Sequence, residues 1–411
     1  MQLSLTLSLL LSALTAHGTV VSLSSSSSSI MGAAAYFMTN DPSENWLISV
    51  AVSETGQAVL DFAYNTHGVG AHGLPNVNAS DALFSQSSIA VSQTAGLLAA
   101  VNAGSNTVSV YTIDKNKPTD LTAIGKPIGS GGEFPQSVAF NAAGTSFCVL
   151  NGGNVNSVNC FSVNAKSGTV MPIANTLRSL GLKQTTPATG PAGAASQIMF
   201  SADGTQLYVT VKGVPPTPGY LAVWDIATDG SLSESATLVK PPTGGLLPFS
   251  MTPLPGKNAL LVTDPALGLD IFDLTNGFNS TVAGGNSNAF AVPGQSAICW
   301  SQYSTETGHA YVVDAGTSTV SEISVGAQLI PSIVNQYTLS ATGAIDSSIA
   351  TIKKKDYMYI LASGSAKLEV LSLNAPGKAQ ALQSVDLTAP LEKANVDVTN
   401  ANLQGMAVYV I

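Results

Sequence analysis

The chain has 411 residues, of which 45% are apolar and only 9% charged, with 38 glycines and a net charge of −9. So few basic side chains exclude the phosphate neutralisation that nucleic-acid binding needs, and the longest Lys/Arg run is the triplet at 353–355. The apolar share is ample for a large core, whose surface must then be covered by Ser, Thr, Asn and Gly rather than by charge.

The chain opens with MQLSLTLSLLLSALTAHG, an apolar core followed by small residues. Residues 1–18 therefore read as a secretory signal peptide, although a basic n-region is lacking and the alternative is a buried N-terminal helix. The serine-rich residues 19–32 are expected to be disordered, and residues 33–411 to form one domain. No other stretch approaches the ~20 uninterrupted apolar residues of a membrane span. These features predict a soluble monomer that is secreted, extracellular or in the cell wall, with N-glycosylation acceptors at Asn78 and Asn279.

Residues 33–40, 45–53 and 57–65 give three strands that lack an opening partner. A glycine-rich loop, 66–86, follows, and then a unit of short alternating runs separated by Gly and Asn turns recurs along the chain. Its grammar is plainest in GEFPQSVAFNAAGTSFCVLNGGNVNSVNCFSVN, from Gly132. First strands centred on Ile89, Val138, Ile198, Met251, Ile298 and Ile349 are spaced by 49, 60, 53, 47 and 51 residues. A period near fifty with four short strands per unit predicts an all-β, seven-bladed β-propeller. The last run, QGMAVYVI, repeats the first-strand pattern, so the C-terminal strand should join the three N-terminal strands in one blade and close the ring.

Cys148 and Cys160 fall on consecutive strands of one hairpin, close enough to pair in an oxidising compartment, although spacing alone does not prove the disulfide. Cys299, in an apolar strand, reads as a buried thiol. In a propeller blade the loop before the first strand and the turn after the second share one face. That face should gather Asn40, Asn102, Asn151, Lys212, Asp264, Asp314 and Ser363 with His72, Glu133, Arg178, Gln184, Asp346 and Gln404. For the Asn and Ser positions the competing explanation is a turn residue bonded to its own backbone. Lys212 is a poor turn residue and asks for an anion, either Asp264 or a ligand carboxylate.

His72, between glycines, suits a base near neutral pH, and the alternative is a loop histidine bonded to a carbonyl. Glu133 suits a general acid or base if buried, and is otherwise a rim charge. Arg178, the only arginine, suits two-pronged carboxylate binding, or simply solubilises a loop. Asn102, Asn151, Gln184, Asp264, Asp314 and Gln404 complete the expected substrate-binding set. His67 and His72 do not have metal-ligand spacing, and Asp264 and Asp314 show no readable oxygen count for calcium, so neither a metal nor a cofactor is assigned. Serine-triad, nucleotide and hydride motifs do not stand in a strand–turn–helix context.

Together GVGAHG, DALFSQSSI, AVNAGSNTVSVY, GEFPQSVAF, CVLNGG, QTTPATGPAG, VKGVPPTPGYLAVWD, GGLLPFS, ICWS, LNAPGKAQ and QGMAVY resemble the fungal secreted 3-carboxymuconate cyclase-like proteins within the lactonase-type seven-bladed propellers. The resemblance spans nearly all of 33–411. It implies lactonase or cycloisomerase chemistry on a small carboxylate-bearing substrate at the channel mouth. The same residues would suit a carbon–oxygen lyase acting on uronate-containing polysaccharide. The non-enzymatic alternative is a cell-wall or surface antigen or adhesin that binds glycans or matrix.

Overall fold

The computed structural model describes residues 20–23, 30–275, 277–278 and 285–411. The proposed signal peptide, the serine run at 24–29 and the sequon residue Asn279 lie outside them.

Seven antiparallel sheets form the body. Blade 1 is built from Ile89–Ser92, Leu97–Asn102, Thr107–Ile113 and Leu121–Ala123. Blades 2 to 6 repeat the order with inner strands Pro135–Phe140, Ala195–Phe200, Met251–Leu254, Ile298–Ser304 and Ala344–Ile352. In blade 7 the C-terminal strand Gln404–Val410 is innermost and pairs with Met31–Met38, which leads outward to Trp46–Ser53 and Ala58–Asn65. The ring is therefore closed by joining the two ends of the chain, which gives blade 7 the inner strand that its N-terminal strands lack.

Val20–Ser22 lies in the segment expected to be disordered, yet it pairs with Phe62–Tyr64 as a fifth strand of blade 7. Among the described residues helix is confined to Thr388–Lys393 and two short 3-10 turns. The second and third strands alternate Val, Leu, Ile and aromatic side chains between both sheet faces, so each blade is apolar on both sides and packs on its neighbours.

Cys148 and Cys160 stand opposite each other in the second and third strands of blade 2 and form a disulfide, with Cα atoms 4.0 Å apart. Part of the long insertion after Lys166 supplies outer strands to the same blade, Thr169–Pro172 and Arg178–Ser179.

The inner strands carry irregularities of one kind. Between Pro135 and Ser137, Ala195 and Gln197, Ile298 and Trp300, and Ala344 and Ser347, the register with the second strand shifts. The closing strand does the same between Gln404 and Ala407. A bulge bends the strand and re-aims the extra residue. Here the extra residues are Gln136, Ser196, Cys299, Asp346 and Gly405, all at the same end of the ring.

Candidate functional site

The end of the channel at which the inner strands begin was the expected ligand mouth. The chain itself fills it. Residues 84–87, between the glycine-rich loop and blade 1, are held from blades on opposite sides of the ring. The Ser85 Oγ donates to Gln136 O at 2.6 Å in blade 2, and Ser85 O accepts Trp300 Nε1 at 3.1 Å from blade 5. Gln86 is bonded through its side chain to the backbone N–H and C=O of Ser301 in blade 5, and its own N–H donates to Ser196 O in blade 3. Only a segment crossing the axis can reach all of these. Asp81, Phe84 and Ser87 have φ of +70°, +55° and +66°, a conformation that costs non-glycine residues roughly 1–3 kcal/mol each and persists only where the surroundings impose it.

Lys212 is the anchor of this plug. It is the last residue before the turn after the second strand of blade 3, and it is 2% exposed. Its Nζ donates to Phe84 O at 2.8 Å, to Ala195 O at 3.1 Å and to Ser196 Oγ, and lies 4.6 Å from the centre of the Phe249 ring. The acid whose charge acts on it is Asp81, in the loop that leads into the plug, rather than Asp264. Burial pushes the ammonium down and the Asp81 carboxyl up, while the attraction between them opposes both shifts. Burial also raises the Cys299 thiol beside them.

Gln404 connects this pair to a second buried carboxylate. Its Nε2 donates to Asp81 Oδ1 at 3.3 Å and to Asp346 Oδ2 at 2.7 Å, and the Gly405 N–H adds a bond of 2.7 Å to Asp346 Oδ2. Desolvation holds the Asp346 carboxyl up at about 8 despite those bonds.

The remaining expected site residues hold loops rather than face a cavity. His72 is buried, with Nδ1 2.7 Å from Gly73 O and Nε2 2.9 Å from Ala79 O, so both ring nitrogens are spent on their own loop. Arg178 is not at the channel. It lies in an outer strand of blade 2, where Nε donates to Ser233 O at 2.7 Å and the two terminal nitrogens to Leu177 O and Leu232 O. Glu133 is half-buried on the rim and accepts Thr186 Oγ1 at 2.5 Å.

Gln184 closes its own loop through Thr189 and Gly193. Asp264 accepts the N–H groups of Leu246, Leu247 and Ala266, and Asp314 those of Ser296, Ala297, Gly316 and Thr317. Each therefore ties the loop before its blade to the turn within it. Asn102 does similar work between blades 7 and 1, bonding Asn45, Thr66, Thr107 and Ser109. The Asn151 Nδ2 bonds Ser130 and Ser157, while its Oδ1 is buried without a partner.

The accessible part of the channel is at the other end. A cavity of about 490 Å³ is lined by Gln86 and Ser87 at its floor and by inner-strand residues including Gln197, Ser301, Gln302 and Ser348. Its lining extends past the ends of inner strands, to Pro255 and Thr305, so it opens on the face opposite to the plug. No Lys, Arg, His, Asp or Glu lines it. Asp346 lies behind its wall, bonded to Gln404 and Gly405 of the closing strand, next to the lining residue Met406.

Asp81 escapes a search for charged residues at turn positions, because it sits in a loop that folds into the axis, whereas Asp346 was placed on this face and a bulge carries it inward. The readable signal was the break in alternation at the starts of inner strands, as in GAIDSS and PQSV.

No family model matches the chain, and no curated protein sequence matches it. Its architecture is similar to solved structures. A Bacteroides fragilis protein described as a candidate 6-phosphogluconolactonase superposes with a TM-score of 0.65 at 14% identity, over 93% of this chain and 99% of that one. A second protein of that description, from Bacteroides uniformis, gives 0.64 at 16% identity over 87% and 98%. The Pseudomonas aeruginosa periplasmic gluconolactonase gives 0.63 at 15% identity over 92% and 99%. What the chain shares with them is the seven-bladed propeller fold.

Proposed function

We propose that the protein is a secreted lactonase-type propeller that binds a small, uncharged, hydroxyl-rich ring compound of the sugar-lactone class in the open half of its channel. The observation that carries this reading is the lining of the 490 Å³ cavity, whose size is usual for a small-molecule site and whose polar groups are amides and hydroxyls without charge. A carboxylate- or phosphate-bearing ligand would want a cation there, and Lys212 and Arg178 are engaged elsewhere. The descriptions of the solved neighbours support the lactone class by analogy of fold.

Opening a lactone requires a water to lose a proton and the ring oxygen to gain one. The second amide hydrogens of Gln197 and Gln302 and the Ser348 hydroxyl orient hydroxyls of the ligand, while Gln86 and Ser301 are bonded to each other and Ser301 also to Ser250 and Thr252. Asp346, with its carboxyl held at about 8, holds a proton at neutral pH and fixes Gln404 and Gly405, and so acts as a positioning residue for the cavity wall at Met406 and Ala407.

The test is a pH-stat assay of the purified protein with neutral aldonolactones, their phosphorylated forms and carboxylated lactones, repeated with Gln197→Leu and Asp346→Asn. Turnover confined to neutral lactones, lost in Gln197→Leu and shifted in pH profile in Asp346→Asn, is the expected result. Preference for phosphorylated or carboxylated substrates overturns the reading of the lining. A second reading, binding without turnover as in a surface adhesin, is favoured by one observation. His72, Arg178, Lys212, Asp264 and Asp314 are all committed to holding backbone. It predicts ligand binding by calorimetry with no proton release in the assay.

A further inference from the structure

Asp270 lies in the third strand of blade 4, Gly268–Asp273, paired with Val262. It is fully buried, and neither carboxylate oxygen has a hydrogen-bond partner. Among the described residues no other side chain has two such atoms. By the alternation of a strand it shares a sheet face with Phe272, Leu260, Val262 and Asp264, the face that packs on Tyr208, Leu221 and Val223 of blade 3. Residues 241–247 lie across the top of this interface, tied down where Asp264 accepts the Leu246 and Leu247 N–H groups. Gly245 rests directly on the carboxylate, since a Cβ there would stand 2.5 and 2.6 Å from its two oxygens.

A buried carboxylate with both oxygens dry costs several kcal/mol unless something pairs with it. Water does not serve, because neither oxygen offers surface that a water-sized sphere touches. A dehydrated hard cation approaches carboxylate oxygens to about 2.3–2.6 Å, closer than water does, and prefers an all-oxygen environment. Asp264 adds a second carboxylate whose Oδ1 accepts only the Ala266 N–H.

We propose that Asp270 and Asp264, completed by backbone carbonyls of the loop 241–247, bind one calcium ion between blades 3 and 4 beneath Gly245. The carbonyls of Pro242 and Leu246 are not among these ligands, since they accept the N–H groups of Gly245, Gly213 and Gly219. No group of three or more His, Cys, Asp or Glu side chains gathers among the described residues, so the charge count is two. That places the affinity with the weaker calcium modules, a Kd of about 10⁻⁴–10⁻³ M. The ion would clamp the loop over blade 4 to the sheet beneath it, a structural role independent of the channel ligand.

The experiment titrates calcium chloride into the chelator-treated full chain, reading bound calcium per chain and Tm, with Asp270→Asn and Gly245→Ala as variants. Asp270→Asn keeps the shape and removes the charge. Gly245→Ala keeps the charge and crowds the ion, at a glycine without positive φ. The expected result is about one calcium per chain in the wild type, with Tm raised by about 2 °C at 5 mM calcium. Both effects should be abolished in Asp270→Asn and weakened about tenfold or more in Gly245→Ala, with far-UV circular dichroism unchanged. Absence of calcium binding in the wild type overturns the proposal, as does binding that survives undiminished in Asp270→Asn. Should Asp270→Asn fail to fold, Gly245→Ala decides, and undiminished binding there overturns the proposal.

Discussion

Replacing Lys212 by methionine tests whether the plug is held by a charge. Methionine keeps most of the aliphatic stem, so the change removes the ammonium, its contact with the Phe249 ring and its three bonds, to Phe84 O, Ala195 O and Ser196 Oγ. Hydrogen bonds to a charged group contribute roughly 1.5–3 kcal/mol each in place, but burying the ammonium costs several kcal/mol in return. What remains is the difference. Removing one partner of a buried charged network typically costs about 3–5 kcal/mol, because the groups left behind stay dry and unpaired. Here those groups are the Phe84 carbonyl and Asp81, which loses the cation that lowers its carboxyl, while the Ala195 carbonyl keeps its bond from Gln136. Against a total stability of roughly 5–15 kcal/mol the loss is large.

Urea unfolding measures that loss, and limited proteolysis across residues 66–88 locates it. The segment containing Asp81, Phe84 and Ser87 should become the first site of cleavage, since their positive φ values are no longer imposed. Asp81→Asn in the Lys212→Met background removes the stranded carboxylate, and the double variant should recover about 1–2 kcal/mol relative to additivity. Additive single effects, or a Lys212→Met protein within about 0.5 kcal/mol of wild type and no more readily cleaved, would refute the anchoring argument.

Other consequences are simpler to read. Asp346 and Asp270 are each held at about 8 against an ordinary 3.8, so the folded state keeps protons that the unfolded state releases, and stability is full below about pH 4 and falls as pH rises to 8. In calcium-free buffer Tm should therefore decline from pH 5 to pH 8.5, and Asp346→Asn should flatten the slope; a Tm that rises over this range contradicts the burial of these groups. The Cys148–Cys160 bond closes a separation of 12 residues, for which chain entropy gives about 3 kcal/mol, so the double alanine variant should lose about 4 °C in Tm by calorimetry. Arg178→Ala should cost about 1–2 kcal/mol in urea and leave ligand binding in the channel unchanged, whereas loss of binding would return Arg178 to the site. Truncation before Gln404 removes the inner strand of blade 7 and exposes the edge of Met31–Met38, and the product should be insoluble or unfolded by circular dichroism.

The architecture was legible because a propeller repeats one pattern, and an error in any one unit is corrected by the others. The missing first strand at the N-terminus and the extra one in QGMAVYVI explain each other only in a closed ring, and Gln404–Val410 pairs with Met31–Met38 accordingly. Val20–Ser22 was not legible, since three residues beside a serine run carry no period. The site was legible in position but not in use. Most of the positions chosen at the turn after the second strand are buried polar groups, as the face rule implies, yet a rule about which residues converge is silent on what they converge upon.

That silence has a physical cause. At the end of the ring where inner strands begin, every blade presents unpaired backbone from the loop before it, and some group must satisfy those N–H and C=O atoms. Asp264 and Asp314 accept two loop N–H groups each, and Lys212 serves two carbonyls. An acid accepts and an ammonium donates, so the odd cation in this ring marks the blade at which carbonyls rather than N–H groups face inward. A turn residue with the wrong charge is thus a structural signal before it is a catalytic one. Along the channel wall beyond the plug the strands satisfy their own backbone, so the Ser348 hydroxyl and the second amide hydrogens of Gln197 and Gln302, beyond those given to Ser87 and Ser347, face the channel. In a closed ring of this kind the face richest in charged turn residues is the one most occupied with its own backbone, and the uncharged face is where a ligand finds unspent hydrogen-bonding groups.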